Sequence, residues 1–300
     1  MLLSRIYLFP VFVFLLVPGT FIICYVIAAV NDHVTIVFPY ISDNGALAPE
    51  SCIFGQLLNI ASVLMGICIY LRHREIAELH RFATERHWLI LRVSGIFLWV
   101  GYLAALGVSF VANFQESRVL TMHLVGAFMA FGLGLVYAWV QTGLSYAIRP
   151  VLCRRWIAHL RLVLCILTTV FFVSMLSCRP FRGPPSSHNS TRTLPYIFPS
   201  DDPRYDEYLC STFSEWLMSV SFMFYFLSYA VELYNATLVA PRLLLGIDDC
   251  DYPRNAGGLV QPKDYTQAYG GASPGQDARG SPTRLAQGAS NQMVDESYQG

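Results

Sequence analysis

The side chains able to do acid–base chemistry at membrane depth are few, and they stand at the borders of long apolar runs. Asp43 and Glu50 lie in the stretch Pro39 to Ser51. Glu116 follows Asn113 and Gln115, His123 is near the start of one run, and Glu215 is near the start of another. Carboxylates and an imidazole brought together can hold or exchange a proton, and ionisable groups within a membrane are functional candidates by default. The competing account is polarity satisfied at a membrane interface. His123 is expected either to pair as a cation with Glu215 or Glu116, tightening the site in an acidic compartment, or to sit neutral against the backbone.

Other chemistries lack their residues. The chain has no GxxxxGK[ST], HExxH or GxSxG motif and no strand-preceded GxGxxG, so neither an enzyme nor a cofactor is expected. His73, His80 and His87 recur every seven residues without the carboxylates or thiols beside them that a metal site requires. Eight cysteines occur with no CxxC pair, which argues against a zinc or thioredoxin-type site. Cys178 and Cys210 bracket a long polar loop and are disulfide candidates in an oxidising lumen. Cys153, among arginines beside an apolar run, is a palmitoylation candidate, with a free thiol as the alternative. Asn189-Ser190-Thr191 and Asn235-Ala236-Thr237 are glycosylation sequons.

The elements that position these residues are membrane helices. Of 300 residues 54% are hydrophobic and 13% charged, where a soluble domain carries roughly a quarter charged residues. The zero net charge gives no reason to expect a nucleic-acid partner. A span needs about 20 apolar residues. Six runs qualify, at about 6–30, 52–71, 89–111, 121–146, 162–178 and 213–233. The fold class is therefore all-α, a polytopic bundle of six transmembrane helices. A cleaved signal peptide is the competing reading of the first run, which is longer than the usual apolar region of about 7–15 residues.

Arginine sets the sidedness. The connection Arg72 to His87 holds four arginines and Ile148 to Arg161 holds four, whereas Asn31 to Ser51 holds none and Ala112 to Leu120 one. Positive loops stay cytosolic. Both termini are thus expected in the cytosol, with the Pro39–Ser51 loop, Asn189, Cys178 and Cys210 on the other side, so Asn189 takes a glycan and Asn235 stays bare. The arginine loops are expected to meet anionic lipid. Gly126, Ala130, Gly134, Ala138 and Thr142 form a small-residue stripe, as do Gly101, Ala105 and Ser109. Such stripes pack helices closely, within a bundle or across a homodimer. Residues 1–246 are expected to be the membrane domain. Residues 247–300, rich in Gly, Pro, Ser, Gln and Asn, are expected to be a disordered tail.

Four ordered motifs carry a resemblance. Pro39-Tyr40-Ile41-Ser42-Asp43 with Pro49-Glu50-Ser51, then Val111 to Glu116, then His123 with Gly126-Ala127, then Glu215-Trp216 with Phe224 to Leu227 resemble the DNA damage-regulated autophagy modulator (DRAM) family. That family lies in a wider group that includes Sfk-type plasma-membrane proteins linked to phosphoinositide kinase recruitment. The resemblance implies a six-span, non-enzymatic regulator of autophagy, often lysosomal and sometimes tied to cell death. The alternative is a plasma-membrane regulator of lipid-kinase recruitment, and a channel or transporter ranks third. The motif residues Pro39, Tyr40, Asp43, Pro49, Glu50, Asn113, Gln115, Glu116, His123, Glu215 and Trp216 are expected to meet as a polar cap on the lumenal side.

Overall fold

A backbone inside a bilayer must satisfy its hydrogen bonds within its own segment, so each long apolar run folds as a helix. The computed structural model describes residues 2–3, 5–82, 88–149, 153–179, 198, 200 and 202–239. The expected tail and the Asn189 sequon lie outside the described residues. The helices are α1 (Leu8–Val30), α2 (Glu50–Phe82) and α3 (Trp88–Asn113). A fourth span follows, made of α4 (Leu120–Ala127), a π-helical turn (Phe128–Leu133) and α5 (Gly134–Ala147). The fifth is α6 (Arg155–Cys178), and the sixth is α7 (Tyr205–Leu227) followed by α8 (Tyr229–Leu233). All six are long and apolar enough to cross a membrane.

Several helices outrun the expected spans. α2 does not stop at Leu71 but continues through Arg72, Arg74, Glu75 and Glu78 to Phe82. The continuation is rich in good helix formers and has neither Gly nor Pro. At about 1.5 Å per residue α2 is roughly 50 Å long, beyond the ~30 Å hydrocarbon layer. α7 begins well before Phe213, with Asp206 and Glu207 in its first turn, where the helix dipole favours negative charge.

The spans pack in a closed ring: α1 on α2, α2 on α3, α3 on the fourth span, α5 on α6, α6 on α7, and α7 back on α1. Val13, Val17, Phe21, Phe54, Leu58, Met65, Met218 and Phe222 are buried in the core. Phe12, Leu15, Ile22, Trp99 and Val170 stay exposed, as a lipid-facing surface requires. The small-residue stripes are spent inside this ring. A Cβ at Gly107 would fall 2.5 Å from the Ala130 amide nitrogen, and one at Gly126 would fall 2.6 Å from Phe110 Cβ. At these positions the close packing is made by the chain's own helices, as the bundle reading of the stripe expects. Near the start of α1 a two-residue antiparallel bridge pairs Leu2 with Val239 and Leu3 with Leu238. α1 begins and α8 ends on one face of the bundle, called here the arginine end. The Pro39–Ser51 segment lies at the other, the loop end.

Candidate functional site

At the loop end, two proline-bounded turns cannot continue a helix, so the chain from Asn31 to Pro49 crosses the bundle mouth and is tied down by side chains from distant spans. The Ile41 amide donates to Glu215 Oε2 at 2.8 Å, and Trp216 Nε1 donates to the Pro39 carbonyl at 2.9 Å. Ser42 Oγ donates to Glu116 Oε2 at 2.7 Å, and Ser117 Oγ donates to the Ala46 carbonyl at 3.1 Å. His33 Nδ1 lies 2.5 Å from Glu50 Oε1. Asp43 is buried and begins a 3-10 turn through Gly45, beside the fully buried Asn44. The Tyr40 ring meets Tyr208 edge-on, and burial pushes its phenol up to about 12. Cys178 and Cys210 are joined by a disulfide between the ends of α6 and α7, and Arg179 reaches Glu116 at 3.5 Å.

Not every motif residue joins this cover. Asn113 sits on the α3 side and exchanges hydrogen bonds with Asn59 at 3.0 Å, while Ser109 Oγ donates to Asn59 Oδ1 at 2.7 Å. Gln115 contributes its carbonyl, which accepts from the Arg118 and Val119 amides. Pro49 is exposed just before α2. Of the two arrangements expected for His123, the structure shows the backbone one: its Nδ1 donates to the Phe114 carbonyl at 2.8 Å. The ring is held by backbone rather than paired with Glu215 or Glu116.

Beneath the cover the ring encloses a cavity of about 110 Å³. Its walls are apolar, from Val17 and Phe21 through Leu58 and Met65 to Ala105, Phe131 and Phe222. Glu215 and His123 line its top, and both also line a smaller polar recess shared with Tyr40, Ser42, Glu116 and Arg179. The π-helical turn lends Phe131 to both spaces. Such turns recur at functional sites.

The arginine end is built differently. Arg72 and Arg161, read from sequence as loop charges, are fully buried. Glu232 takes Arg161 as a fork, with Nη2 to Oε2 at 2.7 Å and Nη1 to Oε1 at 3.1 Å, and takes Arg72 Nη1 on Oε2 at 2.7 Å. Glu75 accepts from Arg72 Nη1 at 2.8 Å. Ser145 Oγ accepts from both guanidinium groups, at 3.1 and 2.7 Å, and donates to the Gln141 carbonyl. The Tyr229 ring lies under both, 5.6 and 4.7 Å from the guanidinium carbons. The break between α7 and α8 at Ser228 aims this group, for Ser228 Oγ accepts from Arg161 Nε at 2.9 Å and donates to the Tyr225 carbonyl. Two cations meet two carboxylates, so the burial is neutral. These two arginines are not available to anionic lipid; Arg154 and Arg155 remain exposed. The signal that could have found the pair is Glu232, a carboxylate at the end of an apolar run, at the depth where Arg72 ends one run and Arg161 begins another.

Cys153 takes the free-thiol form of its two expected states. It is buried with no exposed surface, and burial, with Glu232 nearby, pushes its thiol up to about 11. Neither property suits an acyl acceptor, which needs an accessible thiolate. Among the described residues no group of three or more His, Cys, Asp or Glu side chains is placed to hold a metal.

A closed ring of six membrane helices with a covered apolar cavity defines the class: a multi-pass membrane bundle with its polar groups at two ends. The particular family is the Frag1/DRAM/Sfk1/Cwh43P N-terminal domain family, which matches residues 5–236, and the chain belongs to it. It is 36% identical over 231 residues to DNA damage-regulated autophagy modulator protein 2 of Bos taurus, covering 76% of this chain and 84% of that relative. It is 42% identical over 174 residues to Modulator of macroautophagy TMEM150B of Mus musculus, covering 56% and 69%. With DNA damage-regulated autophagy modulator protein 1 of Homo sapiens it is 30% identical over 223 residues, covering 73% and 87%. No solved structure matches the chain.

Proposed function

We propose that this protein is a multi-pass membrane regulator of autophagy that acts at the lysosome without catalysing a reaction. The observation that carries this reading is the likeness to relatives named as autophagy modulators over three quarters of the chain. Sidedness belongs to the same proposal. The loop end faces the lumen, where an oxidising environment keeps the Cys178–Cys210 bond, and the arginine end faces the cytosol.

The deciding experiment removes the gene and restores wild type. Turnover of a lipidated autophagosome marker is then measured with and without lysosomal inhibition, and the tagged protein is scored against lysosomal and surface markers. Lower flux in the null cells, restored flux on re-expression and lysosomal overlap are expected. Unchanged flux would refute the regulator, and surface staining would move the protein to the plasma membrane and toward lipid-kinase recruitment. Orientation is tested separately: Asn189→Gln is expected to abolish a glycan-dependent mobility shift that Asn235→Gln leaves intact.

A further inference from the structure

We propose that the groove at the arginine end, between the starts of α1 and α6 and the end of α8, holds the headgroup of one anionic membrane phospholipid, with its phosphate on Arg154 and its glycerol and upper acyl chain against Ala230 and Val231.

Three distant parts of the chain build this groove. Tyr7 stands just before α1, Arg154 just before α6, and Tyr234 just after α8. With Ala230, Val231 and Asn235 they line a space of about 400 Å³, within the range of roughly 300–1,000 Å³ usual for small-molecule sites. The Tyr7 and Tyr234 rings pack with centroids 5.1 Å apart. Tyrosines that flank membrane helices mark the headgroup level. Ala230 and Val231 lie about one turn deeper in the sixth span, and Val231 is 41% exposed on the lipid-facing surface. The groove is thus polar at headgroup level and apolar just below it. That gradient suits an amphiphile of the bilayer, whereas a free phosphate gains nothing from the apolar part.

The charges select the sign of the head. Elsewhere at this end the buried charges are matched, since Glu232 accepts from Arg72 and Arg161. Arg154 is exposed, as are Arg155 beside it and Arg5 two residues before Tyr7. Among the described ion pairs none engages these three arginines. No acidic side chain lines the groove, and the first turns of α1 and α6 carry none. Both helix starts add partial positive charge, which the end of the short α8 offsets only in part. A guanidinium takes two phosphate oxygens as a fork, and the Asn235 amide offers further donors. An ammonium finds no carboxylate here, so zwitterionic lipids lose to anionic ones. Basic pockets between membrane helices on the cytosolic side hold anionic headgroups in this way. That the lipid comes from the cytosolic leaflet rests on the proposed sidedness; the binding itself does not.

The test is native mass spectrometry of the full-length protein in mild detergent, titrated with phosphatidylglycerol, phosphatidylserine and phosphatidylcholine of identical acyl chains. One retained phosphatidylglycerol or phosphatidylserine per chain is expected, each at least fivefold tighter than phosphatidylcholine. Arg154→Gln is expected to weaken phosphatidylglycerol binding at least fivefold, and Val231→Trp to weaken it several-fold by filling the apolar part. Arg118→Gln removes the same charge at the loop end and is expected to change nothing. Glycerol 3-phosphate, the headgroup phosphate without its chains, is expected not to displace the lipid; displacement would make this a site for free phosphate and overturn the proposal. Equal affinity for phosphatidylcholine, equal losses in Arg154→Gln and Arg118→Gln, or unchanged binding in both Arg154→Gln and Val231→Trp also overturns it. So does a dimer that excludes lipid, which would make a second copy the occupant. None of these readouts depends on autophagic flux or on the glycan, so this site and the proposed function fail separately.

Discussion

The two ends of this bundle both use charge, and they use it for opposite purposes. At the arginine end Arg72, Arg161, Glu75 and Glu232 neutralise one another inside the protein and tie α2, α5, α6 and α8 together. At the loop end the ties run mostly from side chain to backbone, with Glu215 to the Ile41 amide and Trp216 to the Pro39 carbonyl. They hold a cover over an apolar space rather than filling it. A closed charge cluster locks helices at one register. The cover hangs instead on scattered single contacts, to Glu215, Glu116 and Trp216, with no carboxylate shared between two buried guanidinium groups. The arginine end thus ties helices to one another, whereas the loop end covers a cavity.

The largest effect that could break this contrast is expected at Glu232. Glu232→Gln removes the carboxylate shared by two buried guanidinium groups. Losing one partner of a buried pair costs about 3–5 kcal/mol, and denaturant unfolding in detergent should register it. A loss below about 1 kcal/mol would mean that the cluster is solvated and that the lock is misread. Next is the covalent tie of the loop end. The Cys178–Cys210 bond closes a segment with a sequence separation of 32, and Cys210→Ser is expected to cost about 2–4 kcal/mol through the entropy of the unfolded chain. The same result after reduction of wild type would confirm that the bond, not the side chain, is responsible.

How far the sequence foretells this contrast depends on the kind of signal. The six spans are legible because apolar runs without charge have few alternatives in a bilayer. The Pro39–Ser51 cover is legible because Pro39, Asp43-Asn44-Gly45 and Pro49 interrupt those runs with turn chemistry. The arginine lock is not legible in the same way. Arg72 and Arg161 count as loop charges when each is read with its sequence neighbours, and only the fold brings Glu232 to them from far along the chain. The cavity has no sequence signature, since it is the space left where the side chains of the ringed helices do not meet. Asn113 belongs to the quoted motif yet bonds to Asn59 on α2, because its place at the end of α3 turns it away from the mouth.

Smaller effects sharpen the loop-end half. Trp216→Phe keeps the ring that meets Phe21 edge-on at 6.1 Å but deletes the donor to the Pro39 carbonyl. A loss of about 1 kcal/mol is expected, with faster hydrogen exchange confined to the cover. Exchange rising equally at the arginine end would contradict the separation of the two. Smallest of all is Cys153→Ser. Since that thiol is buried and pushed up to about 11, acyl-exchange labelling of the protein is expected to be unchanged, and loss of an acyl signal would restore Cys153 as a lipidation site.

The most direct measurement is a pair of double-mutant cycles in nanodiscs, one at each end. Arg161→Met and Glu232→Met, singly and together, probe the lock. Arg179→Met and Glu116→Met probe the mouth, where Arg179 has 44% of its side-chain surface exposed. Removing both members of a buried pair is far less damaging than removing one, so a coupling of about 2–3 kcal/mol is expected at the arginine end and below about 1 kcal/mol at the loop end. Couplings of equal size, or additivity between Arg161 and Glu232, would contradict the claim that one end is locked by charge and the other only covered.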